Sequence, residues 1–553
     1  MKSFKSLLVS FRRFNFSFFL ILISSLFFSS FAFSTANTIN NGSVPKATKM
    51  VVILAVNDVY RLDNLPYIAT LRAELSSQYD QDVILLHAGD VLFPSLLSRR
   101  YNGAQMIDVL NLLDGKQETF DEKMLVVFGN HEFDKSKMKH APMLNQRLNE
   151  SQFRWLNTNI RFDDMISSPQ LSNTAIINIE GVNIGFIGST ISSKNADYIK
   201  SFSDPIETFK KQYRSLKRQG ADVVIGLTHH NVEDDKRLLQ AMGADKIPLI
   251  VGGHEHHKQK FSRDGGLIVK ADADALTASV IEMYFDNTTN ELLKTSHDFV
   301  QLPGTLPAQA TVANRIEQWR TKFDSEMCAQ LEMESGCLNT TLTKASVPLV
   351  AEELQIRRFE TNLGNFVTDT ARKAFKDADV AFINSGSLRL NYTIAAGENV
   401  TMKHIQTLFA YPAKLVKLRL DGKTLKQVLN HSVSDWSGNG HWLQVSGIAF
   451  DHNVASGLAK HIHVYRNGRY EPLNDTDEIV AITNSYLVDS SGDQDGYTML
   501  SNSQIVSTGQ QNVPDLKDLV ITEMKQTTSL APKLEGRICN RQFSTPCLLD
   551  NLK

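Results

Sequence analysis

The chain has 553 residues, with 58 Lys and Arg against 60 Asp and Glu for a formal net charge of −2. Near-balance argues against broad electrostatic binding of a nucleic acid polymer, although a local basic pocket remains open. The length exceeds what one hydrophobic core usually serves and implies two large domains.

The first segment reads as a targeting signal. Lys2, Lys5, Arg12 and Arg13 precede an apolar stretch from about Phe14 to Phe33, followed by the small residues Ser34-Thr35-Ala36. That order fits a signal peptide, residues 1–36, cut near Ala36. The rival is an uncleaved anchor, since the stretch approaches the roughly 20 residues that span a bilayer. Its serines and the cleavage pattern favour removal, so the expectation is a periplasmic or extracellular protein with no stable membrane insertion.

Six short apolar runs follow: Met50 to Val56, Val83 to Leu86, Leu125 to Phe128, Ile184 to Ile187, Val223 to Leu227 and Leu249 to Val251. Brief β-branched and Leu-rich runs bounded by Gly and polar residues read as strands buried on both faces. All but Ile184 to Ile187 lead into a metal-binding side chain: Asp58, Asp90, Asn130 with His131, His229, and His254 with His256. A single Asp after a strand is ordinarily a turn former or helix cap. Five in series are different, because the crevice beyond the carboxyl ends of such strands is where ligands gather. Carboxylate oxygen and imidazole nitrogen suit Mn, Zn, Fe or Co, and no Cys lies in this half.

The motifs NDVY (Asn57 to Tyr60), GD (Gly89 to Asp90), GNHEFD (Gly129 to Asp134), LTHH (Leu227 to His230) and GGHEH (Gly252 to His256) resemble those of the calcineurin-like metallophosphatase superfamily, and within it the 5'-nucleotidase family. The resemblance implies two divalent ions bridged by Asp90, with Asp58 and His256 on one and Asn130, His229 and His254 on the other. It makes His131 and Asp134 the pair that stabilises the transition state and assists the leaving group. One departure stands out: the family's Asp-x-His is here Asp58-Val59-Tyr60. Tyr60 either ligates as a phenolate or leaves a water in the vacated place. His87, His230 and His257 sit beside motif positions but match none and read as hydrogen-bonded supports or exposed residues, the alternative being groups that back the ligands.

The implied fold is α/β: an N-terminal metallophosphatase β-sandwich flanked by helices over 48–302, a linker helix within 303–344, a C-terminal α/β nucleotide-binding domain over 345–537 and a tail over 538–553. Within the linker, Val312, Ile316, Trp319 and Phe323 repeat at helical spacing over about Ala310 to Leu331. All four cysteines lie in the second half, Cys328 near Cys337 and Cys539 near Cys547. Each pair suits a local disulfide in an oxidising compartment.

The second half resembles the 5'-nucleotidase C-terminal domain through RRFETNLGNF (Arg357 to Phe366), NSGSLR (Asn384 to Arg389), QVSG (Gln444 to Gly447) and DGY (Asp495 to Tyr497). By resemblance, Arg357 and Arg389 hold phosphate, for which a guanidinium's planar charged donors are apt. Tyr411 and Tyr486 would sandwich a base, each stack worth roughly 1–3 kcal/mol. Asn384 would bond the base and Asp495 the ribose, with Gly386 in the same binding loop and Asp493 a rival to Asp495. The family's Asn-Gly-Gly-Gly-Ile-Arg has become Asn384 to Arg389, and its Phe-Gly-Asn has become Tyr411-Pro412-Ala413, which leaves base preference open. The expected activity is metal-dependent hydrolysis of nucleoside 5'-phosphates. The alternatives are a related cut on nucleotide sugars or 2',3'-cyclic nucleotides, or nucleotide binding with decayed catalysis.

Overall fold

The structure is a computed structural model that describes residues 48–552 apart from 117–118, 193–195, 244–246, 264, 412–413, 493, 508–512, 514 and 544. The expected signal peptide, Asp493 and Pro412-Ala413 therefore lie outside the described residues.

All six apolar runs form strands. Thr48–Val56, Ile84–His87 and Met124–Val127 lie side by side in parallel, Ile53 opposite Ile84 and Leu85 opposite Met124. They belong to a seven-stranded sheet. Val182–Thr190, Val223–His229 and Leu249–Gly252 are likewise parallel neighbours, in a six-stranded sheet. Side-chain alternation decides what each strand touches. Val51, Ile53 and Ala55 join Ile184, Phe186, Ile225 and Val251 in one core between the sheets. Val52, Leu54 and Val56 turn the other way, onto a core with residues of the helices Leu65–Tyr79, Ala104–Leu110 and Ala141–Glu150. Phe209, Leu216, Leu238 and Leu239, from the helices Pro205–Arg218 and Val232–Met242, cover the outer face of the second sheet. The result is the expected sandwich flanked by helices.

The helix Ala310–Gln330 joins the two halves. Its Val312 and Ile316 are buried in the first half's core and its Phe323 in the second's. Trp319 is half-buried and donates to Asp108 at 2.6 Å. In the second half, Leu415–Asp421, Glu478–Asn484, Val380–Asn384 and Leu443–Ser446 form a mixed four-stranded sheet. The helix Asn362–Lys373 packs on it through Leu363, Val367 and Ala371. A further four-stranded sheet takes its edge strand, Ile538–Asn540, from the end of the chain, parallel to Ile448–Asn453. Among the described residues no helix is long and apolar enough to cross a membrane.

Cys328 pairs with Cys337 and Cys539 with Cys547, at Cα separations of 5.7 and 5.0 Å. Both bonds close short loops, so each is expected to contribute about 2–3 kcal/mol by restricting the unfolded chain. Mass mapping of unreduced protein should yield two short closed loops, and a bond between the two pairs would contradict the fold.

Candidate metal centre

Parallel strands running the same way end on the same edge, and the chain turns there sharply. Asp58, Asp90, His254 and His256 all have left-handed backbone, with φ of 52°, 57°, 91° and 59°. Residues other than Gly rarely adopt this conformation, which costs about 1–3 kcal/mol wherever the surroundings enforce it. Four of six candidate ligands sharing it marks a constellation imposed by tertiary structure.

Donor atoms of Asp58, Asp90 and His256 lie within 4.8 Å of one another. His229 Nε2 is 3.3 Å from Asp90 Oδ2 and 3.9 Å from Asp58 Oδ1. Asn130 Oδ1 is 3.3 Å from His229 Nε2 and 3.1 Å from His254 Nδ1. The six predicted ligands are thus one contiguous set, and both carboxylates are fully buried. Burial alone would raise Asp58, but His229 and His256 beside it hold it down to about 2. Burial would lower His229, yet Asp90 and Asp58 push it up to about 9. Burial, with His229 next to it, takes His254 down to about 3. Two buried anions among imidazoles and an amide oxygen form a pocket that favours positive charge, and oxygen and nitrogen donors in this mix fit a borderline divalent ion.

The backbone is shaped to the set. A Cβ on Gly129 would fall 2.1 Å from Asp90 Oδ1, and one on Gly253 would fall 2.4 Å from the Ala88 carbonyl. Buried hydrogen bonds then hold each ligand. Asn57 donates to Asp58 Oδ2 at 2.7 Å and to the Ala271 carbonyl at 3.0 Å. Glu132 accepts backbone N–H bonds from Gly129, Asp90, Val91 and Leu92, tying the Asp90 turn to the Asn130 turn. Burial, with Asp90 next to it, raises its pKa to about 7. His229 donates from Nδ1 to Ala88 O at 2.7 Å, which aims Nε2 at the cluster. Lys270, 1 % exposed, donates to the carbonyls of His230 and Gly253 and to Glu255, anchoring the last ligand loop. Sequence alone singles out none of these braces. Asn57 and Glu132 sit inside motifs that could flag them; Lys270 carries no signal.

Tyr60 stands within the cluster. Its hydroxyl is 2.9 Å from Asp90 Oδ2, 3.3 Å from Asp58 Oδ1 and 2.8 Å from His256 Nε2. Burial and the two aspartates push the phenol well above its usual pKa, and its hydroxyl donates to Asp90 Oδ2. His131 faces Asp134 through Nδ1, 3.0 Å from either carboxylate oxygen, and its backbone N–H donates to Asp90 Oδ1 at 2.8 Å. His230 and His257 are hydrogen-bonded supports, to Ser189 and the Glu255 carbonyl respectively. His87 departs from that expectation: it is buried, burial takes it down to about 4, and neither ring nitrogen has a hydrogen-bond partner among the described residues.

In the second half, Asn384 donates to Asp495 Oδ2 at 2.7 Å and Tyr486 donates to Asp495 Oδ1 at 2.9 Å. Gly386 completes that group: a Cβ there would lie 2.9 Å from Gly440 Cα and 3.3 Å from Asp495 Oδ2. Arg389 donates to the Gly386 carbonyl at 2.7 Å and lies 5.6 Å from the centre of the Tyr411 ring, which Arg99 of the first half approaches to 5.0 Å. Arg357 pairs instead with Glu353, at 2.7 Å. The other oxygen of Glu353 is 2.9 Å from His256 Nδ1, so the second half reaches into the cluster itself.

The chain is similar to known proteins over both halves. Residues 51–258 match the calcineurin-like phosphoesterase family and residues 341–502 the 5'-nucleotidase C-terminal domain. A 5'-nucleotidase of Rattus norvegicus is 24 % identical over 83 % of this chain and 82 % of its own length. A snake venom 5'-nucleotidase of Naja atra is 24 % identical over 83 % of this chain and 89 % of its own. Among solved structures, a 5'-nucleotidase precursor from Thermus thermophilus superposes with a TM-score of 0.73 over 89 % of this chain and 99 % of its own, at 21 % identity. With a phosphoesterase domain, its cluster of acid, amide and imidazole donors, and the partner domain following it in order, this chain belongs to the 5'-nucleotidase family and is a metal-dependent phosphoester hydrolase.

Proposed function

We propose that this protein is exported and hydrolyses nucleoside 5'-monophosphates to nucleoside and phosphate with two divalent ions, one held by Asp58, Asp90 and His256 and the other by Asp90, Asn130, His229 and His254. The observation that carries the reading is the meeting of the two halves, where Glu353, paired with Arg357, touches His256 at the edge of the cluster. Ions there would supply Lewis-acid charge and a water of lowered pKa. Asp90, central to the set, accepts from Tyr60 and from the His131 backbone, so its carboxylate is held from both sides. Arg357 and Arg389 would bind phosphate oxygens through charge-assisted bonds. Asp134 holds His131 through Nδ1, which leaves Nε2 as the atom from which a proton can pass to the departing 5'-oxygen. Asn384, Asp495 and Tyr486 would then hold the nucleoside.

A second reading, cleavage of a larger phosphoester such as a nucleotide sugar, has one observation in its favour. A cavity of about 600 Å³ lies next to Tyr60 and Arg389 and is lined also by Arg61, Arg320, Tyr392 and Lys403. Phosphate release from a panel of nucleoside monophosphates, nucleotide sugars and cyclic nucleotides, with metal-free protein supplemented by Mn, Zn, Co or Fe, separates the two readings. No release from any monophosphate under any metal would overturn the first.

Asp90→Asn should lower metal content and turnover together, whereas His131→Ala should keep its metal and lose roughly 10²–10⁴-fold in rate. Metal analysis beside kinetics checks both, and unchanged turnover in either variant would refute the assignment. A phenol near neutral pH is a poorer ligand than imidazole, because it must lose a proton of unperturbed pKa about 10. The ion at Asp58 and His256 should therefore be the looser of the two, and Tyr60→His should tighten it in a metal titration. Loss of all activity in a folded Tyr60→His protein would instead make the hydroxyl a specialised ligand or substrate contact. Export is supported by the charged-then-apolar start of the sequence and by two disulfides. Amino-terminal sequencing of the mature protein should begin near residue 37, and an intact apolar segment would count against cleavage.

A further inference from the structure

The candidate ligands come from the first half of the chain and the candidate phosphate-binding arginines from the second. Among the described residues, Glu353 touches both sets. Glu353 opens the short helix Glu353–Ile356, whose start is capped by Glu352 accepting from the backbones of Leu354 and Gln355. Helical spacing of four residues brings Glu353 alongside Arg357, an ion pair of 2.7 Å through Oε1. Through Oε2, the same carboxylate lies 2.9 Å from His256 Nδ1.

The geometry around that imidazole is directional. His256 Nε2 faces Asp58 Oδ1 at 3.4 Å and the Tyr60 hydroxyl at 2.8 Å, so Glu353 sits on the far side of the ring from the cluster. A carboxylate in that place sets the orientation and tautomer of a ligating histidine. The other braces come from the first half itself: Ala88 O for His229, Asn57 for Asp58, Lys270 for the loop after Gly252. His256 leans across on the second half, 97 residues further along the chain.

We propose that Glu353 is a positioning residue that couples the metal centre to the presentation of Arg357, orienting His256 with one oxygen and Arg357 with the other. This rests on the reading of His256 as a ligand and Arg357 as a phosphate contact. The role of Glu353 is exercised through these two side chains. Because one carboxylate serves two partners, a change at either is felt by the other, and such coupling is reciprocal in binding free energy.

The test begins with metal-free protein titrated with manganese alone by calorimetry. Glu353→Gln keeps the size and removes the charge; it should weaken one manganese site about 10-fold or more. Glu353→Asp, which keeps the charge at shorter reach, should fall between wild type and Glu353→Gln. Arg357→Ala should also change manganese affinity, and that change should disappear in the Glu353→Gln background, since the effect travels through the shared carboxylate. At saturating manganese, Glu353→Gln should raise KM for adenosine 5'-monophosphate more than it lowers kcat. Manganese affinity within twofold of wild type in both Glu353 variants, or an Arg357→Ala effect of equal size in the two backgrounds, would overturn the proposal. Wild-type protein that binds manganese but releases no phosphate would instead defeat the functional reading, while the titrations still decide the role of Glu353.

Discussion

Two carboxylates, Asp58 and Asp90, lie fully buried side by side at the ends of parallel strands, and the surrounding structure answers their repulsion. An isolated buried anion is strongly unfavourable, and two together are more so. The repulsion is offset by ringing them with His229 and His256, by directed donors from Asn57, Tyr60 and the His131 backbone, and by backbone that approaches closely only because Gly129 and Gly253 carry no side chain. Left-handed φ at Asp58, Asp90, His254 and His256 belongs to the same arrangement. Strain of this kind persists only where packing over-determines it, and the sandwich core beneath these turns supplies that packing.

A second constraint is that the centre is not closed by the first half alone. His256 is backed by Glu353, and Glu353 also holds Arg357, so the helix Glu353–Ile356 is packed against the chemistry of both halves at once. Arg99 of the first half lies over Tyr411 of the second, a further contact between the two halves. The connecting helix Ala310–Gln330 keeps these surfaces in register, because its two ends are buried in different cores. The candidate ligand cluster and Arg357 of the second half are therefore joined by direct side-chain contacts.

The departure at Tyr60 illustrates what proximity adds. From residue type alone, a tyrosine in place of histidine could act as phenolate or merely leave room for water. Inside the cluster its hydroxyl lies 2.9 Å from Asp90, and burial beside two aspartates raises its pKa. In this geometry it donates a hydrogen bond to Asp90. His87 teaches the opposite lesson: polar and next to a motif, it is buried without a hydrogen-bond partner among the described residues, and burial holds it neutral.

The six strands, the residues that end them, the linker helix and both cysteine pairs were legible in the order of residues, for a local reason. Strand and helix periodicity is a short-range pattern, and parallel strands share an edge, so side chains just past their ends meet whatever the loops between them do. The braces were not legible, because their partners are distant along the chain: Asn57 with Ala271 at a separation of 214 residues, His256 with Glu353 at 97. Nothing local distinguishes Lys270 or Glu353 from an ordinary surface charge. Their roles arise when two sheets and two halves pack and a charged group, removed from water, takes the partners the fold has placed around it. Residue order sets which groups can bind; packing sets which of them are aimed, charged and held.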